Sequence, residues 1–275
     1  MPPRIHCVRH AQGYHNLTVA NHNMHDPLLT PFGEEQCREL RSSFPYHSAV
    51  DLVVASPIKR TIYTALIGFS NDLASKDLKI VALPELQETS DLPCDTGSSP
   101  EEVAREFRGK PVDLTLVQEG WNSKKGKWAP TAKAIENRAR EARRWLMSRP
   151  EKDIVVVTHG GFLHYFTEDW TGSNRFQGMS CTSISPVSPA AGLTLEALPG
   201  TGWANTEFRS YSFDAGSGDN ASLVETDESR RRRAGTEKPL TKEEMLNLKQ
   251  TAHSTWERHG FQQKAEPNYQ VQSKV

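Results

Sequence analysis

Cysteine is scarce in this sequence: Cys7, Cys37, Cys94 and Cys181 are the only four in 275 residues, and no two form a CxxC pair. That spacing suits neither a disulfide framework nor a structural zinc site, so a reducing, cytoplasmic setting is expected. Long apolar runs are missing too. No stretch reaches the roughly 18 apolar residues of a membrane-spanning helix, and no membrane partner is expected. The first ten residues, MPPRIHCVRH, hold no apolar segment of the kind a secretory leader needs. Charge of one sign is also absent. Lys and Arg total 33 against 34 Asp and Glu, for a net charge of −1. This excludes a broad electrostatic footprint for nucleic acid but leaves room for a local basic site.

What is present is length for a sizeable core, enough for one large α/β domain or two small ones. Short apolar runs rich in β-branched residues lie at 5–8, 52–55, 80–83 and 154–158. Their continuity and the polar or glycine-rich turns after them predict buried parallel strands. Helical patterns alternate with these runs. Thr30-Pro31 starts one, with Pro31 suited to the first helical position and Leu40 and Phe44 four residues apart. Ser99-Pro100-Glu101-Glu102 reads as a capping box. Residues 131–148 carry Ile135, Ala139, Ala142 and Leu146 along one face. Strands alternating with helices predict an α/β fold of three layers, a mostly parallel central sheet flanked by helices. Residues 180–213 read as short strands, several of them antiparallel at an edge.

The composition then shifts. Only 5 of the 26 residues from 214 to 239 are apolar, which predicts a mobile linker. Arg230, Arg231, Arg232 and Arg233 inside it read as a solvated charge run, with nuclear import or anion binding as the sharper alternative. A final helix follows in the C-terminal segment, 240–275. Thr241-Lys242-Glu243-Glu244 is a capping box, Leu240 and Met245 are spaced as a hydrophobic staple, and Gly260 suits the end. Met245, Leu248, Ala252 and Trp256 share a face that is expected to pack on the core.

Chemistry gathers at three strand ends. The first strand runs into Arg9-His10, the second into Ser56-Pro57-Ile58-Lys59-Arg60, and the fourth into His159-Gly160-Gly161. Ligands of open α/β sheets bind outside the carboxyl ends of the strands. Two histidines and two arginines would converge there if those strands are neighbours, a combination suited to a tetrahedral anion. A helix starting at Gly160 would add backbone N–H donors. A histidine in such a site can attack phosphorus, and a carboxylic acid must then protonate the leaving oxygen. Glu85 and Glu88, after the third strand, are the candidates. His22 and His25 lie in a polar loop without clustered acids or thiols, which points to solvent rather than a metal. The stretch 93–130 would cap the pocket, with Lys124, Lys125 and Lys127 between Trp121 and Trp128. Cys94 is the one plausible thiol at the pocket edge.

Val8-Arg9-His10-Ala11-Gln12 with Asn16 resembles a signature of the histidine phosphatase superfamily, also called the phosphoglycerate-mutase-like family. Asp26-Pro27-Leu28-Leu29-Thr30 with Gly33 and Gln36, Ser56-Pro57 with Arg60, Leu86-Gln87-Glu88 and Val157-Thr158-His159-Gly160 are similar to its further motifs, in the family's order. The likeness spans roughly residues 4–200, and Cys94-Asp95-Thr96-Gly97 and Glu119-Gly120-Trp121-Asn122 resemble members common in fungi. Ala11 departs from the glycine usual after the histidine; its methyl is small, and alanine there occurs in family members. The resemblance implies that His10 becomes a phosphohistidine. It further implies that Arg9, Asn16, Arg60, His159 and Gly160 hold the phosphoryl group and that Glu88 is the general acid or base, with Glu85 second. Neither a cofactor nor a metal is implied.

The expected layout is a catalytic domain at 1–213 with its cap at 93–130, the linker at 214–239 and the C-terminal helix and tail. The expected activity is metal-independent hydrolysis of a small phosphomonoester. A mutase or phosphotransferase using the same intermediate, and a non-catalytic phospho-ligand-binding protein, are the alternatives. The sequence does not set the oligomeric state.

Overall fold

The structure, a computed structural model, describes residues 2–173, 176–177, 198–199 and 201–264. The chain opens with β1 (Arg4–Arg9), then α1 (Pro31–Ser43), β2 (Leu52–Ala55), α2 (Lys59–Gly68), α3 (Ser70–Ser75) and β3 (Ile80–Ala82). Next come α4 (Pro100–Glu106), β4 (Val112–Asp113), α5 (Ala132–Met147), β5 (Asp153–Thr158) and α6 (Gly160–Thr167). After the short antiparallel pair β6 (Phe176–Gln177) and β7 (Leu198–Pro199) follow β8 (Phe208–Phe213), β9 (Leu223–Glu225), α7 (Asp227–Ala234) and α8 (Lys242–Arg258). Helix starts obey their caps. The Thr30 hydroxyl accepts from the Gly33 N–H, and Ser99 with Glu102 closes a capping box on α4.

Seven strands form one sheet in the order β4-β3-β2-β5-β1-β8-β9. The first five are mutually parallel, while β8 and β9 are antiparallel additions. Strand alternation splits the core in two. Ile5, Cys7, Val54 and Val156 face α5, α6 and α8, whereas Val8, Val53, Val155 and Val157 face residues of α1 to α4. The result is the three-layer α/β arrangement expected from the pattern. With β5 between β1 and β2, the three strand ends that carry Arg9-His10, Ser56 and His159 are adjacent.

Two expectations need correction. Residues 214–239 are not a bare linker, because β9 pairs with β8 and α7 packs beside it. Polar contacts replace the missing apolar surface: the buried Ser229 hydroxyl accepts from the Ser210 N–H and donates to Glu225, and Arg233 pairs with Glu225 and Asp169. Arg232 lies over the Phe208 ring. The arginine run is thus partly structural. The stretch 93–130 is likewise more than a cap, since β4 extends the sheet beside β3 and Val103 of α4 is core.

The antiparallel reading of 180–213 holds for β8, which sits inside the sheet rather than at its edge. Residues 180–197, with Cys181, and the tail from 265 lie outside the described residues. The C-terminal helix docks as its stripe predicted, with Ala252 and Trp256 buried and Met245 and Leu248 packed on the same core. Leu240 stays exposed. Among the described residues, no helix is long and apolar enough to cross a membrane.

Candidate active site

The loop leaving β1 is fixed from below by α1. The Gln12 N–H donates to the Gln36 amide oxygen at 2.9 Å and the Thr30 N–H donates to the Gln12 carbonyl at 3.0 Å. Gly33 is required by the close approach, since a Cβ there would lie 2.1 Å from the Gln12 carbonyl oxygen. A second loop is held by Asp26, whose carboxylate accepts from the Lys59 N–H at the start of α2 and from the Ser98 N–H and hydroxyl. These contacts give the motif residues around the site a mechanical role. They aim His10 and Arg60 into one cavity.

His10 is 2% exposed. Its Nδ1 lies 2.7 Å from the Ala11 carbonyl oxygen, which can only accept, so Nδ1 carries the proton and Nε2 keeps its lone pair. Burial, then the charges of Arg60 and Arg9, hold its pKa well below the ordinary imidazole value; the Ala11 carbonyl opposes them weakly. The ring is therefore neutral at physiological pH, the state a nucleophile needs.

Arg9 and Arg60 line the same cavity. Arg9 donates to the Trp203 carbonyl; burial pulls its pKa down only to about 10, so it stays a cation. Arg60, fully buried, donates to the Cys94 carbonyl at 2.5 Å and to Asp95 at 2.9 Å. Among the described residues, the Nε atoms of both arginines are buried without a hydrogen-bond partner. Two cations in so dry a site, offset mainly by Asp95, favour an anion.

His159 differs from its expected place. Its ring centroid is 5.2 Å from that of His10, but Nδ1 accepts from Arg60 at 3.0 Å and Nε2 donates to the Ser56 hydroxyl at 3.0 Å. Both nitrogens are committed, so the ring orients Arg60 rather than presenting a free donor to a ligand. Asn16 does line the cavity, with its side-chain oxygen accepting from the Gly13 N–H.

Glu88 lines the same cavity as His10 and reaches the start of α6. Its carboxylate accepts from the N–H groups of Gly161, Phe162 and Thr89 at 3.1, 2.8 and 2.9 Å. The helix N–H donors expected for a phosphate are thus spent on Glu88, because a carboxylate seated on a helix N-terminus satisfies both. Gly161 rather than Gly160 lines the cavity. Gly160 is needed for packing, as a Cβ would meet Thr201 Oγ1 at 2.4 Å. Burial foremost, then Asp95, raises the Glu88 pKa, while the N–H donors and Arg60 pull it back. Glu85 is elsewhere: it forms an ion pair with Lys127 at 2.9 Å on the outer surface.

Several residues at the site escaped the sequence reading. His15, beside His10 at 5.3 Å between ring centroids, is buried and lines the cavity. His22, read as a solvated loop residue, also lines it, and Cys94 does so as expected. Arg138 of α5 grips the strand-end loop from behind, donating to the Glu85, Gln87 and Glu88 carbonyls. Its signal was present, since Arg138 falls on the same stripe as Ile135, Ala139 and Ala142. Of the three cap lysines, Lys124 turns inward, 3.5 Å from the Glu88 carbonyl oxygen, and burial pushes its pKa down to about 7.

A family model described as the histidine phosphatase superfamily (branch 1) matches residues 5–200. A probable phosphatase of Schizosaccharomyces pombe is 30% identical over 166 residues, 59% of this chain and 76% of that protein. A phosphoglycerate mutase-like protein of Arabidopsis thaliana is 30% identical over 197 residues, 58% of this chain and 72% of its own length. Among solved structures, the ecdysone phosphate phosphatase of Bombix mori in complex with tungstate is similar with a TM-score of 0.51. It is 16% identical over 81% of this chain and 92% of that one, a likeness of fold.

Proposed function

Because the chain belongs to the histidine phosphatase superfamily (branch 1), we propose that it hydrolyses a small phosphomonoester through a phosphohistidine on His10. The family and its relatives support phosphatase or mutase-like chemistry. Hydrolysis is favoured because the relative from Schizosaccharomyces pombe is named a phosphatase.

The observation that carries the proposal is the tautomer of His10. With Nδ1–H donated to the Ala11 carbonyl, the Nε2 lone pair is free in a cavity shared with two buried arginines. Nε2 attacks phosphorus as the bond to the ester oxygen breaks, and Glu88, protonated, gives its proton to that oxygen. Water then attacks the phosphohistidine, Glu88 takes the water's proton, the N–P bond breaks, and orthophosphate leaves. Arg9, Arg60 and Asn16 hold the phosphoryl oxygens, and His159 keeps the Arg60 guanidinium in place. The arginines supply the charge stabilisation that a magnesium ion supplies in other phosphoryl transfers, so the proposed route uses no metal.

Orthophosphate release from a panel of phosphomonoesters, measured for wild type and His10→Ala, tests this. The expected result is release by wild type alone, with the variant at background and its thermal melt unchanged. Isomerised ester without net phosphate release would move the reading to a mutase. Tight orthophosphate binding with no turnover would move it to a binding protein.

A further inference from the structure

Residues beyond 200 lie outside the family match, yet Trp256 and Phe261 line the catalytic cavity. The path that brings them there is well anchored. Trp256 is buried on α8 against Trp170, with ring centroids 5.8 Å apart. Gly260, at φ +75°, then lets the chain reverse, and the Phe261 N–H returns to the Trp256 carbonyl at 2.9 Å. Three further bonds pin the turn: Tyr165 donates to the Gln262 side chain at 2.8 Å, the Gln263 N–H donates to the Pro130 carbonyl at 2.8 Å, and its side chain donates to Asp91 at 2.8 Å. Asp91 belongs to the loop that carries Glu88 and Asp95. The C-terminal segment is therefore tied to the catalytic loop itself.

Beside Phe261 on the cavity wall stands His22, its ring 6.1 Å from that of Phe261 and inclined at 67°. Leu92 lines the same region. The cavity is charged in its depth and aromatic at its wall, and it is small, about 80 Å³. Pockets that enclose a whole ligand run to roughly 300–1,000 Å³. Once Arg9 and Arg60 hold a phosphoryl group, the alcohol part of the ester must lead out past His22 and Phe261. Among the described residues lining the cavity, the permanent cations are those two arginines, and Glu88 and Asp95 are acidic. An acidic leaving group would meet the acidic Glu88 and Asp95 and, among the described lining residues, no cation beyond the two arginines that hold the phosphoryl group, while a flat apolar one would meet two rings.

We infer that Phe261, carried by the C-terminal segment, and His22 form a leaving-group wall that selects phosphomonoesters whose alcohol part is uncharged and bears an aromatic or flat apolar group near the phosphate. This deepens the phosphatase reading and rests on it for the reaction, though not for binding.

The test uses the full chain and two readouts. Turnover is compared for benzyl phosphate, ethyl phosphate and phosphoglycolate, and affinity is measured calorimetrically for the non-hydrolysable benzylphosphonate and ethylphosphonate. Wild type is expected to prefer the benzyl over the ethyl compound by about tenfold in both, with phosphoglycolate the poorest substrate. Phe261→Ala is expected to lower that preference about fivefold, chiefly through KM, because the ring binds ground and transition states alike. His22→Ala, on a separate loop, gives the same direction if Phe261→Ala fails to fold. An unchanged benzyl-to-ethyl ratio in a folded variant, or a wild-type preference for phosphoglycolate, overturns the inference. Absence of His10-dependent turnover with the benzylphosphonate preference intact overturns the phosphatase reading instead.

Discussion

At the scale of single residues, Glu88 is pulled two ways, and its role depends on which pull wins. The N–H groups of Thr89, Gly161 and Phe162 favour the carboxylate, whereas burial and Asp95 favour the acid, and the net shift is upward. His10 is shifted downward. The rate is therefore expected to fall when pH rises through the raised Glu88 pKa and when it drops below the lowered His10 pKa. Glu88→Gln keeps an acceptor oxygen for the helix N–H groups but removes the proton. It should lower kcat/KM, which reports phosphoryl transfer to His10 and not the shared hydrolysis step, by about 10²–10⁴-fold for an alkyl phosphate, and far less for 4-nitrophenyl phosphate, whose leaving oxygen needs no proton. Equal losses of kcat/KM on both substrates would rule out Glu88 as the acid for the leaving oxygen. Glu88, His10 and the two arginines were legible because each follows a recognisable strand in a motif. The roles of His15 and Asp95 were not, and Arg138 showed only its place on a helix stripe: what they touch is set by loops and a helix that meet them only after folding.

Between β9 and α7 the element-scale lesson is that apolar content is not the sole currency of order. Residues 214–239 read as a linker because they cannot bury much hydrocarbon, yet strand pairing and the Ser229 hydroxyl tie them to β8, and an ion pair from Arg233 to Glu225 ties α7 to β9. Hydrophobic patterning finds strands such as β2 and β5, which are buried on both faces, and long amphipathic helices such as α5 and α8. It is blind to a three-residue strand completed by a serine from the next helix. Ser229 is the point at which to test this. Its hydroxyl is the partner of the buried Ser210 N–H, 2.9 Å away, so Ser229→Ala leaves that donor unsatisfied. The expected cost is about 1–3 kcal/mol, read as a fall of several degrees in the thermal melt. An unchanged melt would show that the Ser229 hydroxyl contributes nothing to holding α7 on the sheet.

Over the whole molecule, the burial that keeps His10 neutral recurs at other histidines, and its cost appears in acid. His6, His10, His15, His159 and His164 are all buried, and burial is the first cause of a lowered pKa at each. For His6 the value is about 4. In the unfolded chain these rings titrate near about 6.5. Below that pH the unfolded state binds protons that the folded state refuses, and stability rises with pH wherever the unfolded state holds more protons. Stability is therefore complete above the unfolded value and is lost as pH falls from it toward the lowered folded values. His6 alone accounts for a loss of about 3 kcal/mol by the time pH reaches 4, since each pH unit between its unfolded and folded values is worth about 1.4 kcal/mol. His6 alone takes about 1 kcal/mol from the unfolding free energy between pH 6.5 and pH 5.5, the four other rings act in the same direction, and little should change between pH 7 and pH 8. Denaturant midpoints across that range measure the slope directly. A flat profile from pH 7.5 to 5.5 would mean that the folded protein can charge these rings, and His10 would then be a cation at the pH where it must act as a nucleophile.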